Sequence, residues 1–338
     1  MNPAKTALVV TTVSAPNPVL KALAQGAAER NIRFIAIGDA KSPADFSLEG
    51  CEYYSLEAQR SLGLSFADAC PERHYARKNI GYLLALQGGA EVILETDDDN
   101  FPREAFWNPR GRAVHAAAVE QAGWVNAYHY FTEARIWPRG LPLDAVQATP
   151  PAYETLPLQT LDCPIQQGLA DENPDVDALY RLLLPLPQNF RADRRVAFKT
   201  GTWCPFNSQN TTWWRDAFPL LYLPAFCSFR MTDIWRSFVA QRLAWANGWS
   251  LLFHEPTVYQ ERNEHDLMRD FQDEIPGYLH NRALCETLAG LDPEPGPQAL
   301  GDNLRLAYAA LADKGFIGKE ELPLLEAWLA DLRRICLG

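Results

Sequence analysis

Short runs of aliphatic and β-branched residues alternate with amphipathic stretches over the first hundred positions. Residues 6–13 (TALVVTTV) form an apolar run of the length of a buried strand. Pro16 and Pro18 follow, and an alanine-rich helical stretch then runs from about Val19 to Arg30. Residues 32–37 (IRFIAI) make a second strand, ending in Gly38-Asp39. This strand–helix–strand opening predicts a doubly wound α/β sheet, in which ligands collect at the carboxyl ends of strands. Asp39 sits at such an end.

From Arg73 to Gln87 the apolar positions Ile80, Leu83, Leu84 and Leu86 suit a helix lying on the sheet, and Gly88-Gly89 suits its end. Residues 91–96 (EVILET) have the pattern of a central strand, followed at once by Asp97-Asp98-Asp99-Asn100-Phe101-Pro102. Residues 138–164 carry six prolines and little periodicity, which predicts a long ordered loop. Residues 196–230 are dense in aromatics and amides. A helix is predicted over Asp233–Trp245, and a strand over Trp249–Tyr259 interrupted by Pro256. A Pro/Gly-rich hinge (DPEPGPQ) after Leu291 leads to two amphipathic helices, near 299–314 and 320–335. The organisation expected is a catalytic domain over 1–291 and a C-terminal helical extension over 292–338, suited to pack on the core or to mediate a homodimer.

Composition narrows the function classes. A net charge of -11 lacks the basic footprint of a nucleic-acid binder. It leaves room for an anionic ligand, since a few local cations or one metal ion reverse the field at a site. The seven cysteines are dispersed, with no CxxC pair, which reads as reduced thiols and not as a zinc site or a disulfide framework. With no signal-peptide pattern and no apolar stretch near eighteen residues, the expectation is a cytoplasmic protein without a transmembrane segment.

The acidic triplet is the sharpest chemical signal. In an extended chain Asp97 and Asp99 point to the same side. Two carboxylates converging at a sheet edge suit Mg²⁺ or Mn²⁺, with diphosphate oxygens completing the coordination. A solvated acidic turn is the competing reading. Arg77 and Lys78, near the start of the preceding helix, lie against its dipole unless an anion meets them; an ordinary solvated helix face is the alternative. Residues 167–177 hold four acids, but an EF-hand starting at Asp171 would need Gly at 176 and Glu at 182, where Val176 and Leu182 stand. Asp233 is either a helix cap or a general base for an acceptor hydroxyl. His254 and His265 are late-chain candidate ligands, against the commoner reading of structural or surface histidines.

Residues 77–90 (RKNIGYLLALQGGA), followed by Ile93-Leu94-Glu95-Thr96-Asp97-Asp98-Asp99, resemble the R-K-x-x-G-Y-L-x-A-x-x-x-G-A…D-D signature of the STELLO family of glycosyltransferases. They are more distantly similar to the reversibly glycosylated polypeptides, or UDP-arabinopyranose mutases, whose later G-L…P-D-x-D-A segment is matched by Gly168-Leu169 and Pro174-Asp175-Val176-Asp177-Ala178. Residues 204–211 and the Asp233 helix also look STELLO-like. The resemblance spans roughly residues 5–280. It implies a GT-A-like, Rossmann-type mixed sheet flanked by helices, with one site for a UDP- or GDP-sugar donor. Carried over by position, Asp97 and Asp99 bind metal and donor, and Arg77 and Lys78 lie near its diphosphate; Asp98, between the two, is a further candidate for donor contact. Asp39 lies near the nucleoside and Asp233 is the acceptor-side carboxylate; apart from the resemblance, His265 is a candidate metal ligand. The reaction implied is metal-dependent sugar transfer to a hydroxyl acceptor. A nucleotide-sugar mutase and a non-catalytic scaffold are the alternatives.

Overall fold

In the computed structural model, residues 5–261 and 266–337 are described. The first apolar run forms β1 (Thr6–Thr11), buried along its length except at Thr11. Asn17 caps the following helix α1 (Pro18–Glu29), its side-chain oxygen accepting from the Leu20 N–H at 2.8 Å, while Pro18 occupies a first-turn position where no donor is needed. β2 (Arg33–Ile37) and β3 (Glu52–Tyr54) extend the sheet outward, and two short helices, α2 (Leu56–Arg60) and α3 (Ser65–Ala69), precede α4 (Lys78–Gln87) and β4 (Val92–Thr96). β1 pairs in parallel with β2 on one side and β4 on the other.

α4 is buried over all but its last residue, so the amphipathic helix expected there is enclosed on both sides: the sheet lies beneath it and a C-terminal helix above. Gly81 permits the close approach. A Cβ at that position would sit 2.5 Å from a Val9 methyl and 3.1 Å from Ile37 Cγ1.

The chain continues through β5 (Asn100–Pro102), β6 (Ala113–Val119), β7 (Gly123–Trp124), β8 (Leu158–Asp162) and β9 (Ile165–Asp171). Then follow α5 (Ala178–Leu183), β10 (Arg195–Phe198), β11 (Thr202–Trp203), β12 (Asn210–Trp214), α6 (Thr232–Ala246) and β13 (Leu251–Gln260). Among the described residues the main sheet has eleven strands, in the order β3-β2-β1-β4-β12-β9-β13-β10-β6-β8 with β5 paired to β13. Its first four strands are parallel, and β12 enters antiparallel to β4. The mixed sheet flanked by helices is the architecture the sequence implied. Two details differ. The proline-rich loop contains β8, and β13 runs through Pro256, the ladder absorbing the missing donor as register shifts on either side of it.

Beyond α7 (Leu267–Ala289), the last two helices are α8 (Leu300–Asp313) and α9 (Glu321–Leu337). Their apolar faces join the same buried cluster as α4 and α6, through Leu304, Tyr308 and Trp328 among others. Two buried carboxylates fasten them. Asp331 accepts from the Ser65 and Phe66 N–H groups at the start of α3, at 3.1 and 2.8 Å. Glu321 accepts from the Ala225 and Phe226 N–H groups at 2.9 and 2.7 Å and from the Tyr222 hydroxyl. Removing such an acceptor leaves buried donors unpaired at about 1–3 kcal/mol. Asp331→Ala is therefore expected to lower stability by about that amount in chemical denaturation; an unchanged midpoint would show that α9 is only loosely attached.

Candidate active site

The carboxyl ends of β1, β2 and β4 open into a cleft of about 450 Å³. Its floor is formed by Thr11–Val13, Ile37–Asp39 and Asp97–Asp99, and its far wall by Arg139, Asp175 and Asp233. This is where a doubly wound sheet offers a ligand site.

The triplet is not extended, which corrects the alternation expected for Asp97 and Asp99. The Asn100 N–H returns to the Asp97 carbonyl at 3.3 Å and closes a turn. The three carboxylates therefore meet different partners. Asp97, with its side chain 29% exposed, gives one oxygen to Lys78 Nζ at 3.0 Å and to the Tyr75 hydroxyl at 2.7 Å. Asp98 accepts from Thr12 Oγ1 at 2.6 Å, and burial raises its pKa, the Thr12 bond partly opposing. Asp99 accepts from Gln260 Nε2 at 2.9 Å. Among the described residues no three His, Cys, Asp or Glu side chains form a metal-holding group. His265 lies outside the described residues.

Arg77 and Lys78 are both buried, and the structure gives them protein partners where the sequence suggested an awaiting anion. Arg77 donates from Nε to Gln59 Oε1 at 2.8 Å and from Nη1 to the Cys70 carbonyl at 2.9 Å. Lys78 is 0% exposed. Its ammonium reaches the Thr96 carbonyl at 2.8 Å, the Tyr75 hydroxyl at 2.8 Å and the Ser208 carbonyl at 3.2 Å, besides Asp97. Asp39 also lines the cleft, but its oxygens bind backbone: one accepts from the Ala40 and Arg73 N–H groups at 2.6 and 2.8 Å, the other from His74 N–H at 2.8 Å.

The feature that the sequence reading missed is Arg139. Its guanidinium is held bidentately on two sides, by Asp175 (2.8 and 2.9 Å) and by Asp233 (3.0 and 3.0 Å), and also donates to the Arg230 carbonyl. Gly140, at φ +92, makes the turn beside it, and a Cβ there would meet Ile234 Cγ2 at 2.4 Å. A Pro-Arg-Gly step inside an otherwise apolar loop was the available signal. Asp233 is corrected in consequence. Burial disfavours its charge, but Arg139 outweighs that and holds its pKa at about 2. A carboxylate so paired is a poor general base near neutrality, and it does not cap α6 either, lying inside the first turn without a side-chain cap bond.

The other acids near this wall are structural. Asp177 caps α5 through the Tyr180 N–H at 2.7 Å and accepts from Trp137 Nε1 at 2.7 Å; burial lifts its pKa to about 6. His254 is buried within β13, bonded to the Glu255 carbonyl at 3.1 Å, with its pKa lowered chiefly by burial.

Fold and cleft together define a Rossmann-type α/β protein with an acidic turn at the strand ends. Residues 230–338 match the family model described as STELLO glycosyltransferases. The chain is 30% identical over 349 residues to Probable glycosyltransferase STELLO1 of Arabidopsis thaliana, covering 96% of this chain and 44% of that protein. It is 29% identical over 348 residues to Probable glycosyltransferase STELLO2 of the same plant, with the same coverage. The chain is thus similar to STELLO proteins over nearly its whole length, and it spans less than half the length of these curated relatives. A solved structure of a mycobacterial protein superposes with a TM-score of 0.41 at 11% identity, covering 82% of this chain and 74% of that one, a likeness too low to bear on chemistry. Among the described residues no helix is long and apolar enough to cross a membrane.

Arg139→Leu strands the buried Asp233 and the part-buried Asp175, and breaking a buried pair typically costs about 3–5 kcal/mol. Asp233 adds a pH signature. Its folded pKa lies below the ordinary 3.8, so its contribution is complete above about pH 4 and is lost as pH falls towards 2. Wild type is expected to lose about 2 kcal/mol more than Asp233→Asn between pH 5 and pH 2 in denaturant titrations; parallel losses would contradict the Arg139 pairing.

Proposed function

We propose that the cleft binds a nucleotide-sugar donor and that the protein transfers the sugar to a hydroxyl acceptor with the help of Mn²⁺ or Mg²⁺. The observation carrying this reading is the Asp97–Asp99 turn at the end of β4, opening into a cleft shared with the ends of β1 and β2. The donor set fits a hard cation. Mg²⁺-type sites take one or two carboxylates and complete their shell with substrate phosphates, and Asp97 has one oxygen fixed from behind by Lys78 and Tyr75. Asp97 and Asp99 would hold the ion, which when bound would neutralise charge on the departing nucleoside diphosphate.

The residues of the chain supply position. Lys78 and Tyr75 hold Asp97 against the repulsion of its two neighbours. Thr12 and Asn17 pin Asp98, through its carboxylate at 2.6 Å and its carbonyl at 2.8 Å. Arg139 joins the loop at Asp175 to the first turn of α6 at Asp233, closing the wall opposite the strand ends. With Asp233 ionised and bidentate on Arg139, its role is to position that wall.

Incubation with Mn²⁺ and a panel of UDP- and GDP-sugars is expected to release nucleoside diphosphate. Sugar isomerisation without release would make the protein a mutase, and neither outcome would leave a non-catalytic scaffold. Asp99→Ala is expected to abolish Mn²⁺-dependent binding of UDP or GDP while the thermal transition of the unliganded protein stays within a few degrees of wild type. Retained metal-dependent binding would remove the turn from the site.

A further inference from the structure

The charge of a bound nucleotide must be met somewhere, and most cations lining the cleft are already committed. Lys78, buried behind the lining, is spent on Asp97 and backbone carbonyls, and Arg77 on Gln59 and the Cys70 carbonyl. Arg139 is clamped between two aspartates, and Arg230 pairs with Glu274 at 2.9 Å. Lys41 and Arg73 differ. Both line the cleft, both are exposed, and neither side chain has a hydrogen bond or ion pair among the described residues. In a chain of net charge -11, two cations left without a carboxylate in the same cleft are conspicuous.

Their placement is built and not incidental. Asp39 lashes the two loops together: its carboxylate accepts from Ala40 N–H on one side and from Arg73 and His74 N–H on the other. Ser42 ties the same corner to the end of β1, donating to the Thr12 carbonyl at 2.8 Å while accepting from Asp39 N–H at 2.8 Å. Arg73 is held at φ +56, a backbone region that non-glycine residues occupy rarely and at some cost, where surrounding structure imposes it. Asp39 therefore acts on the ligand through its neighbours, fixing two cations on one wall without neutralising either by contact with its oxygens.

We propose that Lys41 and Arg73 receive an anionic group of the bound nucleotide sugar, a task that the sequence had assigned to Arg77 and Lys78. This rests on the reading of the cleft as a donor site. Two groups share the chemistry: the phosphates of the nucleotide and a carboxylate on the transferred sugar. Both would accept charge-assisted hydrogen bonds from an ammonium and a guanidinium.

The test is calorimetric titration of wild type, Lys41→Gln, Arg73→Gln and the double variant, with Mn²⁺ present throughout. The probes are UDP, GDP, UMP, uridine, UDP-glucose and UDP-glucuronic acid. Both side chains are exposed, so the thermal transition of the free protein is expected to stay in place. Each single change is expected to weaken binding of the favoured nucleoside diphosphate by roughly 5–10-fold at low salt, and the double change by roughly 30–100-fold, values ordinary for charged hydrogen bonds. The difference between variants and wild type should shrink at high salt, because exposed charges are screened. Losses already present with UDP or GDP but absent with uridine identify the phosphates. Losses confined to UDP-glucuronic acid, with UDP-glucose unaffected, identify the sugar carboxylate. If wild type binds UDP or GDP and the double variant binds every probe as tightly, with the same salt dependence, the proposal is overturned while the donor site stands. If wild type binds none of the probes, the donor site and this proposal fall together.

Discussion

A lysine ammonium with no exposure to water has to be satisfied by protein, and Lys78 organises the site because of it. Its four acceptors come from three places: Tyr75 in the preceding turn, Thr96 and Asp97 at the end of β4, and Ser208 just before β12. Burying that charge is costly unless each donor finds a partner, so the entry to α4, the tip of β4 and the approach to β12 are fixed relative to one another. α4 itself can reach this position because Gly81 lets it settle onto β1 and β2. The acidic turn is thus held from behind by the helix that precedes it in sequence.

From Asp97 a line of contacts crosses the cleft. Tyr75 and Ser208 hydroxyls are 2.6 Å apart, and Ser208 reaches Asp233 at 3.3 Å from both its N–H and its hydroxyl. Asp233 leads to Arg139, and Arg139 to Asp175. The strand ends and the opposite wall therefore share one polar network, in which each carboxylate is anchored by a cation or by hydroxyl and amide donors. Partly satisfied buried networks are expensive, which favours a cleft that is shaped before any ligand arrives.

The sequence made the central block legible because its signals are local. Strand periodicity, the Gly88-Gly89 helix end and the abrupt acidic tip lie within thirty residues, and β1, α1, β2, α4 and β4 appear where that patterning puts them. What stayed hidden depends on residues far apart. Arg139 meets partners 36 and 94 positions away, and no spacing rule announces such a pairing. In sequence Arg77 and Lys78 look like either a helix-terminal anion site or a solvated helix face, because most of their partners, Cys70, Gln59, Thr96 and Ser208, are carbonyl and amide groups that carry no charge a sequence would flag. Strand alternation predicts an extended triplet, yet the chain turns at Asp97 as soon as β4 ends. The C-terminal helices read as an extension suited either to pack on the core or to mediate a homodimer, and only distant partners show that Glu321 and Asp331 tie them to backbone donors of the core.

The function of the cleft turns on where a nucleotide sits. A crystal structure of the protein grown with Mn²⁺ and UDP or GDP tests it most directly. The prediction is a nucleotide in the cleft at the ends of β1, β2 and β4, with its diphosphate beside Asp97 and Asp99 and Arg139 still clamped between Asp175 and Asp233. A nucleotide bound elsewhere, with this cleft occupied only by solvent, would contradict it.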